Sequence, residues 1–193
     1  MSGIVTYYPK RFLHIALPIA LALGAAGCSE VPPSERDGTS AATVDDTLAG
    51  ALNDIPDMAT LSGIIAQAEF GSIFEGPGAY TILAPKDAAF EALGPQASQL
   101  NDPEQRPVVV ALLRDHILPG QLTRENIAAA IESNAGPVTM TTLGGNDVTF
   151  SSDGNGIVVD NGRGSQAMLA GDSIEAKNGA IIPLDAVLLP GTG

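Results

Sequence analysis

Apolar positions along this chain change their period once, near residue 135. Before that point they recur every three or four places, the spacing that keeps side chains on one face of an α-helix. Leu48, Ala51, Leu52 and Ile55 form one such stripe after Asp45 and Asp46, which can cap and charge a first turn. Leu61, Ile64, Ile65 and Ala68 form a second after Asp57, and Ile73 and Phe74 extend it to the break at Gly76-Pro77-Gly78. A third helix is predicted from Pro103, with Val109, Leu112, Leu113 and His116-Ile117 at helical spacing before Pro119-Gly120 stops it. Thr123-Arg124-Glu125 opens a fourth, with Ile127, Ala130 and Ile131 facing inward.

One early stretch breaks the helical rhythm. Tyr80–Leu83 is β-branched and apolar throughout, which suits a buried strand, and Pro85 ends it for want of an N–H. Ala88, Ala89 and Phe90 then start a short helix, with Asp87 expected to cap it. From Pro137 the period is two. Strands are predicted at Val138–Leu143, Val148–Phe150, Ile157–Val159, Met168–Ala170, around Ile174 and at Ala180–Leu189. Helices first and strands after is the order of an α+β fold.

The N-terminal 43 residues read differently. Lys10 and Arg11 precede an apolar run, Phe12–Ala26, that is too short for a permanent span, which needs about 20 residues. The run closes on Ala25-Ala26-Gly27-Cys28, and Cys28 is the single cysteine. This resembles a bacterial lipobox, in which the cysteine is lipidated and becomes the mature N-terminus, although Ala25 stands where leucine is usual. Residues 1–27 are therefore expected to be a lipoprotein signal peptide, with Cys28 the lipidated residue. Residues 28–43, rich in Pro, Ser and charge, are expected to be a flexible tether, and residues 44–191 one domain.

Composition narrows the function. With Lys10 and Arg11 removed from nine basic residues, seven remain against 22 acidic ones, a net of −15. Such a surface repels phosphate backbones, so nucleic acid is not an expected partner. Aromatics make up 4% of residues and Trp is absent, so aliphatic side chains must build the core. One cysteine excludes a disulfide framework and a cysteine metal cluster. Asp153-Gly154-Asn155-Gly156 and Asp160-Asn161-Gly162 lack the ligand spacing of a calcium loop and read as turns. Beyond the leader, His116 is the only histidine. No catalytic residue, metal ligand or cofactor is expected.

Two blocks carry a family resemblance. Tyr80–Phe90, YTILAPKDAAF, resembles the first conserved block of the fasciclin (FAS1) domain at Thr81, Ala84, Pro85, Asp87, Ala89 and Phe90; Leu83 and Lys86 depart from it. Asn178–Pro190, NGAIIPLDAVLLP, is similar to the family's closing strand, except that Ile182-Pro183 stands where His-Val is usual. The resemblance implies a twisted β-sandwich or wedge with helices along one side. Thr81, Pro85, Asp87, Phe90 and Asp185 are then expected to be structural, Phe90 as core and Asp185 as a hydrogen-bonded carboxylate, buried or at an edge, in the last strand. Pro183 needs an edge or a bulge.

The family's Tyr-His segment, linked in some members to cell-surface adhesion, corresponds to LLRDHIL, with Asp115 in place of the tyrosine. His116 is expected at the edge of the apolar stripe, hydrogen-bonded inside the fold, and Asp115 on the wetter side beside Arg114. The integrin-linked Asp-Ile pair of animal members is represented by Ser173-Ile174, with Asp172 one place earlier. Integrin recognition is therefore not implied. Asp115, His116, Asp172 and Ile174 are the candidate binding residues. With the lipobox, the resemblance implies a non-catalytic envelope lipoprotein that acts as an adhesion module or binds a protein or polysaccharide of the envelope or matrix. The alternative is a carrier of an apolar ligand such as a carotenoid or lipid, which an exposed cluster including Met140 and Met168 would favour.

Overall fold

The structure is a computed structural model that describes residues 46–75 and 78–191. The predicted signal peptide, Cys28, the tether, the Asp45 cap and the break at Gly76-Pro77 lie outside the described residues. Five helices are described: α1 (Leu48–Asp54), α2 (Ala59–Gln67), α3 (Asp87–Glu91), α4 (Arg106–Asp115) and α5 (Arg124–Asn134). The eight described strands are β1 (Tyr80–Pro85), β2 (Ile117–Pro119), β3 (Val138–Thr141), β4 (Asp147–Ser152), β5 (Ile157–Asp160), β6 (Gln166–Met168), β7 (Ile174–Ala176) and β8 (Gly179–Leu184). They form two sheets, one ordered β2-β1-β8-β7 and the other a meander β3-β4-β5-β6. This is the expected α+β sandwich with helices along one side.

The two central strands of the first sheet, β1 and β8, are buried on both faces, which explains why they are nearly continuous apolar runs. Ile82, Ala84 and Ile181 join α1, α2 and α4 in one core, which also holds Phe74 and Phe90. Leu83, Ile182 and Leu184 face the other way, into a second core with Val148, Phe150 and Val159 of the meander and Ile127 of α5. β1 and β8 run parallel, from Tyr80 opposite Gly179 to Pro85 opposite Leu184. Gly179 is required there, since a Cβ on it would stand 1.9 Å from the Tyr80 carbonyl oxygen.

Several boundaries differ from expectation. The helix predicted from Pro103 begins as a single tight turn, Pro103–Gln105, and α4 proper starts at Arg106. The helix does not continue through Ile117. The backbone leaves helical geometry at His116, and Ile117–Pro119 becomes β2, paired with β1. The last strand stops at Leu184, five residues before Leu189. Pro183 lies inside β8, a strand with neighbours on both sides. It is tolerated because the pairing with β7 reaches only as far as Ile181, and because Pro183 turns its carbonyl to the Ala170 N–H, 2.8 Å away. The N and O of one strand residue point the same way, so the missing donor faces away from β1.

The expected structural residues take on sharper roles. Thr81 is fully buried; its hydroxyl donates to the Gly120 carbonyl at 2.7 Å and accepts from the Leu122 N–H at 2.8 Å. Pro85 is the last residue of β1, and Phe90 is buried in the first core. Asp87 does not cap its own helix, whose cap position is Lys86. Its carboxylate instead accepts from the Thr60 N–H at 2.8 Å and so caps α2, 27 positions earlier. Asp185 lies beyond the end of β8 and is exposed, not buried. It is hydrogen-bonded as expected, to the Met168 N–H at 2.7 Å.

Candidate binding surface

Helix α4 sets the geometry. Val109, Leu112, Leu113 and His116 recur at three- and four-residue steps and face the first core. Val108, Ala111 and Asp115 share the opposite face by the same rule. Helical spacing alone thus sends Asp115 outward.

Both ring nitrogens of His116 are engaged. Nδ1 lies 2.9 Å from the Leu112 carbonyl, and Nε2 accepts from the Leu188 N–H at 3.1 Å. This pairing requires the neutral tautomer with its proton on Nδ1. Burial holds the imidazole's pKa below its usual value, against the raising influence of the Leu112 carbonyl and the Asp115 carboxylate. The ring is 3% exposed, so it is positioned to anchor the C-terminal segment to α4, not to act as a general base. The expectation of a hydrogen-bonded core histidine agrees with this.

The expected placement of Asp115 is corrected. It is 7% exposed, because the turn between β3 and β4 folds over the end of α4. Its carboxylate receives the Arg163 guanidinium at 2.6 Å, the Asn146 amide at 2.7 Å and the Thr142 hydroxyl at 3.4 Å. Gly144 makes the approach possible: a Cβ there would stand 2.0 Å from Asp115 Oδ1. Arg163 arrives from the β5–β6 turn, where Asn161 accepts from the Arg163 and Ser165 N–H groups. Neither Arg163 nor Asn146 was expected from sequence. An Asn-Gly-Arg-Gly turn predicts a reversal of the chain and carries no sign of what its arginine will meet.

Around this ion pair lies an open groove of about 490 Å³. Val108, 52% exposed, and Leu143, 36% exposed, are the large apolar side chains exposed among the described residues, and both line it. Arg114 and Pro190 complete its rim. A second groove of about 230 Å³ shares Val108, Leu112 and Pro190 and continues along the other flank of α4.

Asp172 and Ile174 are not brought to this surface. Ile174 is in β7, on the edge of the first sheet opposite β2, and packs half-buried against the first core. Asp172 is exposed just before it. Met140 and Met168 are also apart, on the two opposite edge strands of the meander. Among the described residues no group of three or more His, Cys, Asp or Glu side chains is placed to hold a metal ion.

Comparison with known proteins places this geometry in a family. A family model described as "Fasciclin domain" matches residues 56–190. The protein sll1483 of Synechocystis sp. is 25% identical over 89% of this chain and 90% of its own length. Immunogenic protein MPB70 of Mycobacterium bovis is 25% identical over 85% of this chain and 80% of its own. The transforming growth factor-beta-induced protein ig-h3 of Sus scrofa is 29% identical over 68% of this chain, which spans only 17% of that relative's length. A solved FAS1 domain pair from the insect cell adhesion molecule fasciclin I superposes with a TM-score of 0.65 at 15% identity, covering 75% of this chain and 51% of that one.

Proposed function

The chain belongs to the fasciclin domain family, and on that premise we propose that it is a non-catalytic binding or adhesion module, held in the cell envelope by a lipid on Cys28. The observation that carries this reading is the α4 surface. Among the described residues the exposed large apolar side chains, Val108 and Leu143, line one groove built around the buried Asp115 carboxylate and its ion pair with Arg163. A rigid polar floor under an exposed apolar rim suits recognition of a partner and offers no free nucleophile or base. The insect neighbour is a domain pair from a cell adhesion molecule, which agrees with this reading. The partner would be an envelope or matrix protein or polysaccharide. Ser29 after the cysteine resembles outer-membrane sorting in Gram-negative hosts.

The test is photo-crosslinking in intact cells, with the full chain carrying a photoreactive side chain at Ala111, on the exposed face of α4. A specific adduct is expected there and none from the same group at Lys177. No adduct at Ala111, or equal adducts at both positions, overturns the reading.

A second reading, a carrier of an apolar ligand, is favoured by a groove of about 320 Å³ between α5 and β3. Leu122, Ile127, Ala130, Val138, Met140 and Phe150 line it. Pigment or lipid co-purifying with the chain would support this reading, and its loss on Ala130→Glu would locate the ligand.

A further inference from the structure

Resting on the binding-module reading, the α4 surface also specifies the chemistry of its partner. We propose that the grooves on either side of α4 dock an extended, acidic and aliphatic peptide segment, whose apolar side chains lie against Val108 and Leu143 and whose carboxylate pairs with Arg114.

The argument starts from charge. The protein carries 22 acidic against nine basic residues, yet this face is the reverse. Asp115 is the single carboxylate lining the two grooves, and it is buried and committed to Arg163. Arg114 lines the larger groove with an exposed side chain, and among the described residues its guanidinium makes no ion pair and no hydrogen bond. The Arg114 backbone carbonyl accepts from the Gly144 N–H at 3.1 Å, so the residue it projects from is held in place. An unpaired guanidinium beside apolar side chains is complementary to a carboxylate on an apolar ligand.

The shape of the site narrows the occupant. The two grooves share Val108, Leu112 and Pro190, so they form one path across the helix, as an extended chain requires. No aromatic residue lines either groove, which removes the flat rings on which sugars stack. A second copy of this chain would bring its own large negative charge against the acidic remainder of the surface. The same acidity repels polyanions everywhere else and so confines an acidic segment to this face.

The experiment titrates the full-length chain, in detergent micelles with its backbone amides labelled for NMR, with short synthetic peptides in which Leu alternates with Glu, Lys or Ser. A uronate oligosaccharide serves as a fourth probe. The Leu/Glu peptide is expected to shift the amides of Val108, Ala111, Leu143 and Gly144 and to bind at least about tenfold more tightly than the Leu/Lys peptide. Arg114→Glu should remove that preference and Arg114→Lys should keep most of it. Equal binding of the Glu and Lys peptides, shifts confined to another face, or stronger binding of the uronate overturns the proposal. If Ala111 still crosslinks in cells while the Leu/Glu peptide fails to bind here, the module reading stands and the acidic-peptide inference falls.

Discussion

The Asp115 carboxylate and the Arg163 guanidinium meet at 2.6 Å, joining the end of α4 to a turn 48 positions further along the chain. Asn146 and Thr142 bring the β3–β4 turn to the same carboxylate. Asp115→Ala should therefore cost about 1–3 kcal/mol, because it strands several donors at once. Arg163→Ala should cost less, since it removes one donor and leaves Asn146 and Thr142 on the carboxylate. Denaturant midpoints of both variants check this; an Asp115→Ala loss below about 0.5 kcal/mol would mean that the carboxylate faces solvent.

Gly144→Ala should be destabilising for the same reason from the other side, since its Cβ would meet Asp115 Oδ1. The two positions are coupled. In an Asp115→Ala background most of the Gly144→Ala penalty should vanish, and a double-mutant cycle measures that coupling. Additive losses would show that the turn does not rest on this carboxylate.

His116 makes stability depend on pH. Its folded-state pKa is held below the ordinary value by burial, so the unfolded chain takes up this proton first. Stability from this group is complete above about pH 6.5 and declines as pH falls from there towards the lower folded-state pKa, by up to about 1.4 kcal/mol per pH unit. Protonation also turns Nε2 from an acceptor into a donor facing the Leu188 N–H. Urea melts between pH 5.5 and 7.5 should show this slope in the native chain and lack it in His116→Gln; an unchanged slope in the variant refutes it.

The strand–helix corner holds two separable contributions. Phe90→Ala should cost on the order of 3–5 kcal/mol, as for a core aromatic, since the side chain is buried in the first core. Asp87→Ala should cost about 1 kcal/mol by uncapping α2. Hydrogen exchange should then quicken in the first turn of α2 and not in α3; the reverse pattern would return the cap to its own helix.

Cys28→Ser should leave the protein unprocessed or release it from the membrane fraction, if the lipid on Cys28 is its anchor. Fractionation and mass analysis of the N-terminus decide this. Normal processing and membrane retention of the variant would sink the anchor.

What the sequence by itself determined was local. The switch from helical to alternating spacing near residue 135, the apolar runs of β1 and β8, the burial of Phe90 and the inward face of His116 depend on neighbours within a few residues. Covalent geometry ties those neighbours together in any fold. What only the tertiary structure decided was which distant groups meet. Asp115 stands on the outer face of α4, as its spacing says, and is buried because a turn starting near residue 142 closes over it. Asp87 caps a helix 27 positions away, and Ile117–Pro119 is a strand because β1 stands ready to pair with it. A polar side chain carries no sign in the sequence of its partner across the fold, because charge and hydrogen-bonding capacity are satisfied by any donor the packing brings near. The backbone path that brings Arg163 to Asp115 is set by the burial of two whole cores, not by either residue.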